Sequence, residues 1–274
     1  MNVENFSLIN QLLLGGVSPI LERNKRFKNK HEGESCYIFG NGVSLKDMDL
    51  GCFSDKIGFG CNFLFFHKEF HKLNVRYYTE PPPYWYYPFW KNPYTKKRSV
   101  NKLSLTQRKF QKVFNSVDYF VNLSNAPVLF GNNIFYIHHF GKKSFDIDGF
   151  DLSGSFVYTG ALHAMIGMAI YMGFKKAYLV GCDYTHSPQR ILHFYEKGRG
   201  SRSYDNSYNE DYFNLARDKI ELITITNSNS TSKTLKSITY KDYTGQNESY
   251  NENYNLVNSD ILKTLDQYDG YQIF

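Results

Sequence analysis

The stretch from Tyr158 to Asp183 constrains the fold more than any other part of this chain. Small and apolar residues run from Tyr158-Thr159-Gly160 to Met172, Gly173 stops them, and Phe174-Lys175-Lys176 crosses back. Ala177-Tyr-Leu-Val-Gly-Cys-Asp183 then reads as a buried strand with an acid at its carboxyl end. A helix that is apolar on every side has no face to turn to water, so it must pack against the centre of a sheet. Further short apolar runs at Cys36–Phe39, Ile57–Asn62, Val75–Thr79, Asn133–His138 and Glu221–Thr226 read as strands. Phe110, Val113, Phe114 and Val117 share one helical face, which predicts a helix from Ser104 to Val121. Strands alternating with helices argue for an open, mostly parallel α/β sheet, with ligands expected at the carboxyl ends of its strands.

The first strand candidate breaks into Gly40-Asn41-Gly42-Val43-Ser44. Glycines here permit backbone conformations closed to other residues and let a ligand approach the main chain. Ser44 reads as a helix N-cap, so the turn is expected to offer N–H groups to an anion. It lacks the third glycine of the dinucleotide fingerprint and the Gly-Lys-Ser/Thr of a P-loop. A net charge of +6 suits an anionic ligand or an anionic membrane surface. Without a recognised nucleic-acid motif beside it, it does not make nucleic acid an expected partner. Cys36, Cys52, Cys61 and Cys182 lack metal-site spacing and read as reduced thiols of a cytosolic protein.

Three regions follow from the pattern along the chain. Residues 1–33 carry an apolar segment (Phe6, Ile9, Leu12, Leu13, Leu14) and a basic tail (Arg23, Lys25, Arg26, Lys28, Lys30). They read as a peripheral contact with an anionic membrane, as a helix packed on the domain, or as a contact in a homo-oligomer. Residues 34–245 form the ligand-binding domain, and the polar residues 246–274 a peripheral tail. Pro81 to Pro93, with Trp85 and Trp90, reads as a lid loop. His67 and His71 lie four apart but lack a third ligand, so no metal is expected there. No apolar run is long enough to span a bilayer.

Gly40-Asn-Gly-Val-Ser-Leu45, Phe59-Gly-Cys-Asn62, Tyr78-Thr-Glu-Pro81 and Thr159-Gly160 through Gly173-Phe-Lys-Lys-Ala-Tyr-Leu-Val-Gly-Cys-Asp183 occur in an order that resembles one superfamily. It is that of the bacterial lipooligosaccharide sialyltransferases and the related 6-hydroxymethylpterin diphosphokinase MptE-like domains of surface-polysaccharide gene clusters. The resemblance covers roughly residues 35 to 226. It implies a Rossmann-like, GT-A-like sheet with a lid, and inverting, metal-independent transfer of a sialic-acid-like sugar from a CMP-sugar to a glycan or glycolipid acceptor. No cofactor beyond the nucleotide sugar is implied, and the setting is the bacterial cytoplasm or the inner face of its membrane. By position, Gly40, Asn41, Gly42, Ser44, Asn62 and Glu80 would border the nucleotide, Thr159 and Gly160 would hold the donor, and Asp183 and Tyr184 would floor the site. Two departures stand out. Glu80-Pro81 replaces the Asn-Pro common in the transferases, and Tyr158-Thr159-Gly160 replaces their Thr-Ser-Gly. Both admit a donor other than CMP-sialic acid, such as an activated relative of it.

The densest set of reactive side chains follows Asp183: His186, Arg190, His193, Tyr195, Lys197, Arg199 and Arg202. Inverting transfer needs a base for the acceptor hydroxyl, which histidine suits. The resemblance places that base on a histidine downstream of the strand, which leaves His193 and His186. Arg190, Tyr195, Lys197, Arg199 and Arg202 are candidates to hold donor phosphate or an acidic sugar. Two other functions fit the same residues. One is magnesium-dependent phosphoryl or pyrophosphoryl transfer, with Glu80 and Asp183 at neighbouring strand ends as metal carboxylates. The other is a non-catalytic scaffold in polysaccharide assembly.

Overall fold

The computed structural model describes residues 16–87, 117–138, 149–154, 156–200, 210–266 and 271–274. Among the described residues eight strands form one sheet: β1 (Ser35–Phe39), β2 (Ile57–Cys61), β3 (Val75–Glu80), β4 (Asp118–Asn122), β5 (Ile134–Ile137), β6 (Lys176–Val180), β7 (Glu221–Thr226) and β8 (Lys236–Thr239). Their order is β5-β4-β3-β2-β1-β6-β7-β8, and every neighbouring pair is parallel. The chain winds outward from β1 to β5, crosses back, and winds outward again from β6 to β8. The direction reverses between β1 and β6, which makes this a Rossmann-like α/β fold with its switch point at the centre.

Burial follows from that position. Cys36 to Phe39 of β1 are all buried, as expected of a strand covered on both faces. Cys36 and Ile38 face the helix α1 (Ala161–Tyr171), sharing a core with Met165, Ile166 and Met168. Tyr37 and Phe39 point the other way, into a core with Leu45, Phe53, Val257 and Leu265. α1 is buried from His163 to Ala169 and packs on β1, β2 and β3, as its lack of a polar face requires.

Several expectations change. Residues 118–121, the end of the predicted helix, belong to strand β4, and residues 104–116 of that helix lie outside the described ones. Val117 and Val121 are four apart, a spacing that serves a helical face and alternate strand positions equally. Pairing with β3 and β5 decided for the strand. β6 stops at Val180 because Gly181 turns the chain away with φ +67°. β8 carries no apolar alternation and gave no signal; it is an edge strand.

The expected peripheral tail is core. Leu256, Val257, Leu262, Leu265 and Ile273 are buried. Its main chain is tied to residues 46–47 through Ser249 N–H to Asp47 O at 3.0 Å and Asn251 N–H to Lys46 O at 2.7 Å. At the other end, residue 33 is no boundary. Phe27 is buried against Tyr77, Phe120 and Phe135, and Asn24 Nδ2 donates to the carbonyls of Tyr136 and Leu152 at 2.8 and 2.7 Å. The basic tail is therefore packed on the domain; residues 1–15, including its apolar half, lie outside the described ones. Among the described residues no helix is long and apolar enough to cross a membrane.

Candidate functional site

The carboxyl ends of β1, β2 and β6 and the amino end of α1 enclose a cavity of about 430 Å³. Gly40, Asn41, Gly42, Asn62, Thr159, Gly160, Asp183, Tyr184, Arg190 and His193 all line it, although they come from four separate stretches of chain. Ser44, Glu80, His186, Tyr195, Lys197 and Arg199 stand outside the lining, and Arg202 lies outside the described residues.

The glycine turn after β1 is closed, contrary to its reading as an anion cradle. Gly42 N–H donates to Gly181 O at 2.8 Å, Val43 N–H to Leu192 O at 2.9 Å and Leu45 N–H to Gly42 O at 3.2 Å. Ser44 is not an N-cap. Gly42 caps the short 3-10 helix Val43–Asp47, and Ser44 gives its N–H to Asp183 Oδ2 at 2.9 Å and its hydroxyl to Asp183 Oδ1. The glycines serve contact rather than unusual dihedrals, since Gly42 has φ −63°. A Cβ on Gly40 would lie 2.2 Å from Gly181 O, and one on Gly42 would lie 2.3 Å from Asp183 Cγ. Asp183 is thus a clamp between the loops of two adjacent strands.

The first turn of α1 is the opposite case. Gly160 is its N-cap with no side-chain capping bond, and no acidic residue stands in the first turn. The N–H groups of Ala161 and Leu162, which border the cavity, have no acceptor among the described residues. A Cβ on Gly160 would meet nothing within 4 Å. Unsatisfied amides and the positive end of the helix dipole, about half an elementary charge, therefore face open space, which suits an anion. Thr159 Oγ1 lies 2.5 Å from His163 Nδ1, and the His163 ring stacks on Tyr212 at 4.0 Å. Both contacts stiffen this turn.

His193 forms the far wall. An antiparallel bridge to Gly42 holds its main chain, with Phe194 N–H donating to Asn41 O at 3.0 Å. Its Nδ1 is 2.6 Å from Glu196 Oε2, which also accepts the His193 N–H at 2.9 Å. Burial pushes the Glu196 carboxyl up, but the hydrogen bonds from His193 and from Gln272 N–H outweigh it and hold it below the ordinary carboxylate value. An ionised Glu196 accepts a proton from Nδ1, and in the neutral form of the ring that leaves the lone pair on Nε2. Glu196 was absent from the sequence-based candidates; its spacing of three from His193 was the only signal.

The remaining candidates divide by burial. His186 is 2% exposed, off the cavity, with burial holding it below its ordinary value. Glu80 is not at the nucleotide edge of the cavity but buried, accepting the Tyr86 hydroxyl, which in turn lies 2.8 Å from Tyr119 Oη. Strands β2 and β1 separate Glu80 from the loop of Asp183, so the two are not neighbours as a shared metal would require. Arg190 borders the cavity but donates to Asp47 at 3.1 Å and Asn227 at 3.0 Å. Arg199 lies over the Tyr250 ring at 4.0 Å, and the exposed Lys197 joins Gln272 O through its main chain. Asn41 Nδ2 donates to Cys61 O at 3.0 Å, and Asn62 takes φ +50°, a left-handed conformation that asparagine tolerates.

Fold and cavity together define a Rossmann-like α/β protein with an anion-favouring pocket at its switch point. No family model matches the chain, and no curated protein matches it in sequence. Among solved structures it is similar to the sialyltransferase CstII from Campylobacter jejuni in complex with cytidine-5'-monophosphate, with a TM-score of 0.44 and 14% identity over 86% of this chain and 99% of that one. It is also similar to an α-2,3-sialyltransferase from the same organism in apo form, with a TM-score of 0.43 and 15% identity over 85% and 93% of the two chains. Likeness this distant assigns no role to any residue.

Proposed function

We propose that the protein is an inverting glycosyltransferase that moves a sialic-acid-like sugar from a CMP-linked donor to a hydroxyl of a glycan or glycolipid acceptor without a metal. One observation carries the reading: an uncapped helix end and an oriented histidine with a lone pair on Nε2 border the same cavity. The helix end takes the donor phosphate, whose charge grows as the bond to the sugar breaks. His193 Nε2 takes the proton of the acceptor hydroxyl while that oxygen attacks the anomeric carbon opposite the phosphate, which gives inversion. The electron pair of the broken C–O bond leaves on CMP, and the imidazolium returns its proton to water. The cytidine and the sialic-acid-like sugar are supported by the order of the sequence motifs, and the anion site and base by the geometry.

The test is binding followed by turnover. CMP is expected to raise the unfolding midpoint more than UDP, GDP or ATP, without added magnesium; at one hundred times its dissociation constant it adds about 2.7 kcal/mol. His193→Ala should lower turnover by about 10²–10⁴-fold with donor affinity retained. A shift with ATP that needs magnesium, and none with CMP, would turn the reading to phosphoryl transfer. Absence of any nucleotide shift would leave the scaffold.

A further inference from the structure

We infer that Glu196 and the segment beginning at Tyr271 are positioning residues, which hold the His193 ring in the orientation and tautomer that proton abstraction needs. The inference rests on the transferase reading above for what the base does, and on contacts alone for how it is held.

His193 stands on an irregular stretch, where no helix or strand sets its side chain. Its neighbours do so instead. Glu196 is 3% exposed and uses both carboxylate oxygens: Oε2 accepts the His193 N–H and its Nδ1 proton, and Oε1 accepts Gln272 N–H at 3.2 Å. The Tyr195 ring stacks on the imidazole at 4.9 Å with 6° between planes, and Tyr271 meets it edge-on at 5.9 Å. Lys197 N–H donates to Gln272 O, so the two segments also pair through their main chains. Asn253 Nδ2 fastens both at once, donating to Tyr195 O and Ile273 O at 3.0 Å each. The imidazole is held on one edge and two sides, which leaves Nε2 with no partner among the described residues.

Burying a carboxylate is costly unless it is paired, and a surface histidine needs no such partner. The arrangement is explained by what it does to Nε2. With Glu196 accepting the Nδ1 proton, the lone pair of the neutral ring sits on Nε2, and the ring cannot turn to exchange its two nitrogens. During transfer the acceptor proton moves to Nε2, while the proton on Nδ1 stays between His193 and Glu196. The other titratable groups against the ring are Tyr195 and Tyr271, both pushed up by burial and therefore neutral. Asp183 and Arg190 share the cavity but pair with Ser44 and Asp47.

The experiment uses the whole chain with ¹⁵N-labelled imidazole. In Glu196→Gln the ¹⁵N shifts of the neutral His193 ring should change from one Nδ1-protonated form to a mixture of both tautomers. In the same variant kcat should drop with KM for donor unchanged. If Glu196→Gln does not fold, Glu196→Asp keeps the charge but withdraws it by a methylene, and should change the same readings less and in the same direction. Shifts that keep the wild-type Nδ1-protonated form in the variant overturn the positioning inference, even if His193→Ala is inactive. Full turnover in His193→Ala instead overturns the base assignment, and with it any catalytic meaning of the clamp.

Discussion

The glycine turn after β1 and the first turn of α1 border one cavity and both contain glycine, yet their amides have opposite fates. β1 and β6 are adjacent in the sheet, so the loops that follow them meet, and Gly181, Asp183 and Leu192 take up the N–H groups of residues 42–44. α1 arrives from a crossover and starts over open space, so the N–H groups of Ala161 and Leu162 keep facing the cavity. Glycine in a loop near a pocket thus has two meanings, and only the neighbouring backbone tells them apart. At Gly40 it lets protein approach protein, and at Gly160 it leaves room.

The largest expected effect separates these meanings directly. Gly40→Ala puts a Cβ 2.2 Å from a main-chain oxygen that has no rotamer to change, and should cost about 3 kcal/mol or more in denaturant unfolding. Stability within about 1 kcal/mol of wild type would show that the junction yields and is not a lock.

Acid should weaken the closed side next. His186 lies beside the Asp183 clamp with Nδ1 4.0 Å from its carboxylate, and His67 packs edge-on against Phe194. Burial lowers both, His67 to about 4 from 6.5. Between those values the unfolded chain binds the proton and the native one does not, so the contribution is complete above pH 6.5 and is lost as pH falls. His67 accounts for up to about 3 kcal/mol of this. Urea midpoints measured from pH 7 to pH 4 should fall, and fall less in His67→Gln; equal slopes would remove His67 from the account.

Asp183→Asn probes the clamp itself. One acceptor for the Ser44 N–H or hydroxyl is lost, at a cost of about 1.5–3 kcal/mol, while CMP affinity should not weaken. Affinity lost in step with stability would make Asp183 a ligand contact after all. Gly160→Ala is the mirror experiment. The loss of cap preference and the stiffer unfolded chain offset each other to within about 0.5 kcal/mol. The added methyl should nonetheless weaken CMP about tenfold, and unchanged affinity in a calorimetric titration would move the anion away from α1.

Much of this was legible along the chain, because it depends on local pattern. The buried α1, the strands around residues 36, 57, 75, 134, 177 and 221, and a parallel sheet with its pocket at the carboxyl edge all follow from short apolar runs and one helix without a polar face. Tertiary structure alone decided the rest. It made 118–122 a strand by offering partners on both sides, and drew residues 253–265 into the core, where their few apolar residues share one cluster with Phe53 and Tyr37. It placed His193 at the cavity and buried His186 seven residues earlier, though both are histidines of one polar loop. It also joined Glu196 to Gln272, 76 positions apart. Periodicity records which side of an element faces apolar surroundings. Whether a backbone amide is satisfied, or a histidine oriented, depends on atoms brought in from other elements, and nothing local in the sequence encodes their arrival.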